Sequence, residues 1–106
     1  MIKIGVVGAT GYAGEEVIKI LVNHKGVKIT ELSAVIDKEE PISSIFPALK
    51  GRLDLMCHKP DAQNMAKAVD LVFLALPHKI SMEIAPVFLK AGKIVIDLSA
   101  DYRLDA

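Results

Sequence analysis

Thirteen Lys and Arg balance thirteen Asp and Glu across 106 residues, so the chain offers no broad positive field to hold a nucleic acid or an anionic membrane, and any anion must be bound locally. The length suffices for one domain with a core and falls short of a typical second, and 52% hydrophobic, 25% charged and 5% aromatic residues exclude disorder and suit a core of Val, Ile, Leu and Ala. The lone Cys57 excludes an internal disulfide and cannot by itself build a thiolate metal site, which fits a reducing, cytoplasmic setting.

The apolar opening from Ile2 to Val7 is too short for a signal-peptide core or a membrane span. Ending at Gly8, it reads as a strand buried on both faces. Beyond the glycines, Ala13, Val17, Ile18, Leu21 and Val22 recur at helical spacing, with Glu15 and Glu16 near the start and Lys25 and Gly26 at the end, predicting a helix of roughly three turns. Val27 to Ile36 is rich in β-branched residues and predicts a second strand, ended by Asp37, Lys38, Glu39, Glu40 and Pro41. Pro41 to Gly51 reads as a loop with a short helical turn.

Leu53 to Cys57 is expected to form a short third strand, and Ala62 to Ala68 a short helix capped by Asp61. Leu71 to Leu76 reads as a buried strand stopped by Pro77. A helix from about Ser81 to Lys90 follows, closed by Gly92, with Pro86 expected to bend it or split its first turn. Ile94 to Ile96 is the last strand. Apolar strands alternating with helices predict right-handed crossovers, and therefore an α/β, Rossmann-like doubly wound, mostly parallel sheet with helices on both faces. The whole of 1–106 is expected to be one domain.

The chemistry sits in Gly8-Ala9-Thr10-Gly11-Tyr12-Ala13-Gly14, between the first strand and the first helix. A pyrophosphate there meets unpaired backbone N–H groups and the positive end of the helix. Gly8 permits the tight turn, Gly11 lets the backbone approach the phosphates, and Gly14 lets the helix pack close to the strand. Three glycines at this spacing are weak wherever they fall at random; the flanking strand and helix make the pattern informative. In such folds an acidic residue at the end of the second strand holds the ribose 2′-hydroxyl, and Asp37 is the candidate. Its carboxylate favours NAD, whereas the adjacent Lys38 could neutralise the 2′-phosphate of NADP; both cofactors stay open at this point, as does a plain turn role for Asp37.

Two further segments, Phe73-Leu74-Ala75-Leu76-Pro77-His78 and Val95-Ile96-Asp97-Leu98-Ser99-Ala100-Asp101-Tyr102-Arg103-Leu104, complete a set of three blocks. Together they resemble the N-acetyl-gamma-glutamyl-phosphate reductase family, whose members look like GA(S/T)GY(A/T)G, FLALPHG and DLSADFRL in this order. The resemblance covers the whole chain but only the first part of the family's enzyme. It implies NADP-dependent reduction of an acyl phosphate to an aldehyde through a cysteine thioester, in a cytoplasmic enzyme of arginine synthesis that forms homo-oligomers. It places Gly8, Thr10, Gly11, Tyr12, Ala13 and Gly14 in the pyrophosphate loop, and Leu76 and Pro77 beside the cofactor crevice. His78 would stand near the nicotinamide ribose or cap the next helix. Ser99 and Arg103 would face the substrate, with an Asp101–Arg103 ion pair as the alternative use of that arginine.

The nucleophilic cysteine is expected beyond residue 106, since Cys57 matches no family nucleophile and reads, like His58, as structural or incidental. The chain alone is thus expected to bind cofactor without turnover, and no metal is expected. Two positions depart from the pattern: Ile36-Asp37-Lys38 stands where members carry Ser or Thr followed by Arg, and Lys79 replaces Gly after the Pro-His pair. The first leaves NADP preference over NAD open. Aspartate-semialdehyde dehydrogenase, with a similar glycine loop, and a non-catalytic nucleotide-sensing module are the alternatives.

Overall fold

The computed structural model describes residues 1–76 and 78–98, the side chain of His78 excepted. Six strands occur in chain order: β1 (Ile2–Val7), β2 (Val27–Ser33), β3 (Glu40–Pro41), β4 (Met56–His58), β5 (Leu71–Leu74) and β6 (Ile94–Asp97). The helices are α1 (Tyr12–Leu21), α2 (Ile42–Ile45), α3 (Ala62–Ala68) and α4 (His78–Lys90), with a 3₁₀ turn at Pro47–Leu49. All strands belong to one sheet of order β3-β4-β2-β1-β5-β6. Every pairing is parallel except that of β3 with β4.

Two hydrophobic clusters sandwich this sheet, which is why β1 is buried on both faces from Ile4 to Val7. Ile4 and Val6 point to the cluster that contains Ile18 and Leu21 of α1, Ile42 of α2 and Leu49. Val7 points the other way, to Met65 and Ala66 of α3 and Phe88 of α4. The chain leaves β1 toward β2 on one side and returns on the other side as β5, so the strand order reverses at β1. In open α/β sheets this reversal opens a crevice at the carboxyl ends of the two central strands.

The expected doubly wound architecture is present, and the differences lie at element ends. β2 stops at Ser33, three residues before Ile36. There the Ser33 carbonyl accepts both the Gly8 and Ala9 amides, and the Ala34 amide turns to the His58 carbonyl, so the ladder has no continuation for Val35 and Ile36 despite their β-branched side chains. The third expected strand moves down the chain to Met56–His58; Leu53 and Leu55 instead pack as loop residues against the core. β5 ends at Leu74 once the Ala75 amide has bonded to Val7, and α1 ends at Leu21 rather than reaching Lys25.

The two-residue β3 was not anticipated, because Pro41 signals a break; at a sheet edge, however, a missing N–H costs no ladder bond. α3 has the expected bounds, and Asp61 accepts from the Asn64 amide at 3.3 Å as its cap. α4 starts at His78, before Ser81, and runs unbroken through the exposed Pro86. The carbonyl to which Pro86 cannot donate belongs to Met82, a residue 61% exposed on the outer side of the helix. The helix end is marked by Gly92 at φ +78°, as a helix-terminating glycine requires.

Candidate dinucleotide site at the β1–α1 turn

The turn between β1 and α1 is held from both sides of the sheet. Gly8 and Ala9 donate to the Ser33 carbonyl of β2 at 2.8 and 3.0 Å, and Gly11 donates back to the Gly8 carbonyl at 3.1 Å. Gly8 adopts φ +88°. A Cβ there would lie 2.3 Å from the Ala75 carbonyl oxygen and 3.2 Å from the Leu76 side chain. The β1–β5 pairing thus brings Gly8 and the buried Leu76 together.

Gly14 is equally constrained by the fold. Its missing Cβ would fall 2.3 Å from the Gly8 carbonyl oxygen and 3.0 Å from Ala9 Cα, so only glycine lets the first turn of α1 lie this close to the strand. Gly11 differs. It is exposed, has ordinary angles of φ −79° and ψ 170°, and a Cβ there would meet nothing nearer than Gly8 oxygen at 3.5 Å. The fold makes no demand for glycine at this position.

Gly11 is also the residue before the first helical residue, where Ser, Thr, Asp or Asn would ordinarily cap the helix. No side chain caps α1, and the first amide to find a partner is that of Glu15, bonded to the Gly11 carbonyl at 2.9 Å. The Tyr12, Ala13 and Gly14 amides make no hydrogen bond among the described residues, so the positive end of the helix carries three unpaired donors. Thr10 is half-buried beside them and Tyr12 stands 82% exposed at the rim. Unpaired amides at a helix N-terminus suit an anionic ligand such as a phosphate.

Asp37 and Lys38 are placed differently from the sequence expectation. Because β2 ends at Ser33, they lie four and five residues beyond it, in an irregular bend, and both are exposed. The position next to the glycine turn is taken by Ser33, which is 2% exposed and engaged through its backbone. Pro77, the His78 side chain, Ser99 and Arg103 lie outside the described residues. Leading toward them, Ser81 of α4 is fully buried and donates to Asp97 Oδ1 at 3.1 Å, tying the first turn of α4 to the end of β6.

Cys57 is fully buried on β4, and burial, with Glu40 and Glu39 nearby, pushes its thiol up to about 11. It is a neutral packing residue at neutral pH, as its lack of a family match implied. Among the described residues, no group of three or more His, Cys, Asp or Glu side chains is placed to hold a metal ion. A residue that sequence reasoning passed over is Glu39, whose carboxylate meets His58 Nδ1 at 3.2 Å and accepts the Lys59 amide at 3.2 Å. It reads in the sequence as one of four charged residues in a row; only the adjacency of the β2 and β4 ends reveals its partners.

Residues 3–106 match the family described as "Semialdehyde dehydrogenase, NAD binding domain". Among curated proteins, the chain is 49% identical over 104 residues to the N-acetyl-gamma-glutamyl-phosphate reductase of Citrifermentans bemidjiense, covering 98% of this chain and 30% of that protein. With the reductase of Sulfurovum sp. it shares 48% identity over 105 residues, 99% of this chain and 31% of that one. The chain thus spans about a third of the length of the curated relatives it matches. Among solved structures, aspartate semialdehyde dehydrogenase with NADP from Candida albicans superimposes with a TM-score of 0.80 at 24% identity, over 99% of this chain and 31% of that one. A putative myo-inositol dehydrogenase from Sinorhizobium meliloti gives 0.69 at 16% identity, over 92% and 27%. These two likenesses establish a shared fold, and the match over nearly the whole sequence establishes kinship: the chain belongs to the semialdehyde dehydrogenase NAD-binding-domain family.

Proposed function

We propose that residues 1–106 are the dinucleotide-binding domain of an N-acetyl-gamma-glutamyl-phosphate reductase, which uses NADPH to reduce N-acetyl-glutamyl phosphate to the semialdehyde in arginine synthesis. The observation that carries cofactor binding is Gly11, a glycine the fold does not need, in front of three unpartnered amides at the head of α1. The choice among acyl phosphates is supported by relatives of 42 to 49% identity that bear the reductase name.

In this reading Gly8 to Gly14 hold the pyrophosphate, with the backbone of Thr10, Gly11, Tyr12 and Ala13 nearest to it. Asp37 and Lys38 meet the adenosine ribose and set the balance between NADP and NAD. Leu76, Pro77 and His78 border the nicotinamide half. Ser99 and Arg103 face the acyl-phosphate substrate, the arginine offering a planar fork to its anionic groups. The bound dinucleotide supplies a hydride; the domain binds and orients it and contributes no nucleophile, since Cys57 is sealed in the core with its thiol protonated.

The nucleophilic cysteine, the general acid or base and the contacts of a homo-oligomer belong to the two thirds of the relatives' length that this chain does not span. The enzyme acts on a small molecule in the cytoplasm, without nucleic acid or membrane partners; no described helix is long and apolar enough to cross a membrane.

Calorimetry with NADPH and NADH tests the proposal directly. Binding of either by the 106-residue chain, without reduction of N-acetyl-glutamyl phosphate, is the expected result. Turnover by this chain alone would contradict the placement of the nucleophile. Comparing N-acetyl-glutamyl phosphate with aspartyl phosphate on the full-length protein separates the reductase from an aspartate-semialdehyde dehydrogenase. In the Asp37→Ser variant the preference for NADPH over NADH should rise, because a carboxylate that repels the 2′-phosphate is gone.

A further inference from the structure

The bend between β2 and β3 has no regular secondary structure over residues 34–39, yet it is fastened at three points. Its start is held by the Ala34 amide, which donates to the His58 carbonyl at 3.0 Å. Its middle is held by Ile36, half-buried against the core cluster on the α1 side. Its end is held by Glu39, which spends both carboxylate oxygens on the carboxyl end of β4: Oε1 lies 3.2 Å from His58 Nδ1, and Oε2 accepts the Lys59 amide at 3.2 Å. These bonds hold the Glu39 carboxyl below its ordinary range, so the anionic form is the one that fastens the bend at neutral pH.

The residues between these anchors face outward. Val35 is 80% exposed, and Asp37 and Lys38 are exposed without a hydrogen bond or ion pair among the described residues. Beyond Glu39 the chain passes through β3, two residues long and half proline, to Ile42, which is buried in the core and donates its amide to the Leu55 carbonyl at 2.8 Å. Glu39 is therefore the one side-chain hydrogen bond or ion pair fastening this bend among the described residues. A bend that is already ordered before a ligand arrives loses less conformational entropy on binding.

We propose that Glu39 is a positioning residue for the adenosine end of the cofactor: by tying the bend to His58 and Lys59 it holds Asp37 and Lys38 in the arrangement that meets the ribose and its 2′-phosphate. This rests on the cofactor reading above. The Glu39 and His58 side chains are each about half exposed, at 44% and 49%, so solvent screens the tie, and the effect of losing it is a moderate fold-change.

The experiment uses the full-length protein with 2′,5′-ADP as a probe of the adenosine end, inorganic pyrophosphate as a probe of the glycine turn, and NADPH. Glu39→Ala should raise the Kd for 2′,5′-ADP and NADPH about five-fold, leaving that for pyrophosphate and the melting midpoint unchanged. Glu39→Gln keeps an acceptor for the Lys59 amide and should restore most of the affinity. An unchanged Kd for 2′,5′-ADP in Glu39→Ala overturns the inference. Tighter binding does so too, since it would mean that Glu39 merely repels the phosphate. A loss shared by pyrophosphate and accompanied by a lower melting midpoint would reduce Glu39 to a structural role and also overturn it. If the native protein binds neither 2′,5′-ADP nor NADPH, the cofactor reading itself fails, a result distinct from native binding that Glu39→Ala leaves untouched.

Discussion

Alanine at Gly11 and alanine at Gly14 should separate the needs of the ligand from the needs of the fold. At Gly14 the added methyl lands 2.3 Å from the Gly8 carbonyl oxygen and 3.0 Å from Ala9 Cα. Both atoms are backbone, so α1 must move off the strand. Overpacking of this kind costs about 1–3 kcal/mol, and the better helix propensity of alanine returns roughly 0.5–1 kcal/mol; a net loss of about 1–2 kcal/mol is expected. At Gly11 the angles suit alanine and the nearest atom is an ordinary contact at 3.5 Å. The poorer helix cap, roughly 0.5–1 kcal/mol, is offset by about 0.4–1 kcal/mol from a stiffer unfolded chain, so stability should hardly change.

Affinity should behave the other way for Gly11→Ala, because in the proposed reading its methyl takes the space through which phosphate oxygens reach the Tyr12 and Ala13 amides. A rise in the Kd for NADPH of at least about ten-fold is expected, equivalent to about 1.4 kcal/mol. Urea denaturation followed by circular dichroism gives the stabilities, and calorimetry gives the Kd. Native affinity in Gly11→Ala, measured on a protein of native stability, would refute the argument that this glycine exists for the ligand.

Ser81→Ala removes a buried hydroxyl that donates to Asp97 Oδ1 at 3.1 Å and should lower stability by about 1 kcal/mol; an unaltered urea midpoint would show that the α4–β6 tie carries no net energy. Asp61→Ala deletes the cap of α3 and should cost a similar amount, about 1 kcal/mol, read from the same midpoint. Cys57, buried with its thiol raised to about 11, should resist iodoacetamide at neutral pH until the protein is unfolded in urea; rapid labelling of the native protein would contradict the burial. The Glu39 carboxyl is held below its ordinary 4.5, first by the Lys59 amide and then by His58. Its folded-state value is the lower one, so the anionic tie to His58 and Lys59 is present above the ordinary value and is lost as pH falls through the folded value. The rise in the Kd for 2′,5′-ADP caused by Glu39→Ala should therefore shrink on acidification below the ordinary carboxylate range; a rise that grows there would reverse the assignment.

Residues whose neighbours in space are also neighbours in sequence were legible without coordinates. The Asp61 cap of α3, the terminating Gly92, the positive φ of Gly8 and the close approach of Gly14 to Gly8 follow from steric and hydrogen-bonding rules that act within one or two turns of chain. The parallel, doubly wound sheet was equally legible, since strands joined through helices leave few other topologies open. Strand ends and the surroundings of Asp37 were not. β2 stops at Ser33 because the Gly8 and Ala9 amides claim that carbonyl and the end of β4 takes the next amide, and no local preference of Val35 or Ile36 reports on strands that arrive from elsewhere in the chain. Glu39 is the sharpest instance: in sequence it is one charge among neighbours, and its partners His58 and Lys59 lie about twenty residues away. Only packing β4 beside β2 brings them within hydrogen-bonding distance, so the pattern of residues set which elements form, and the pairing of the strands decided which side chains could act together.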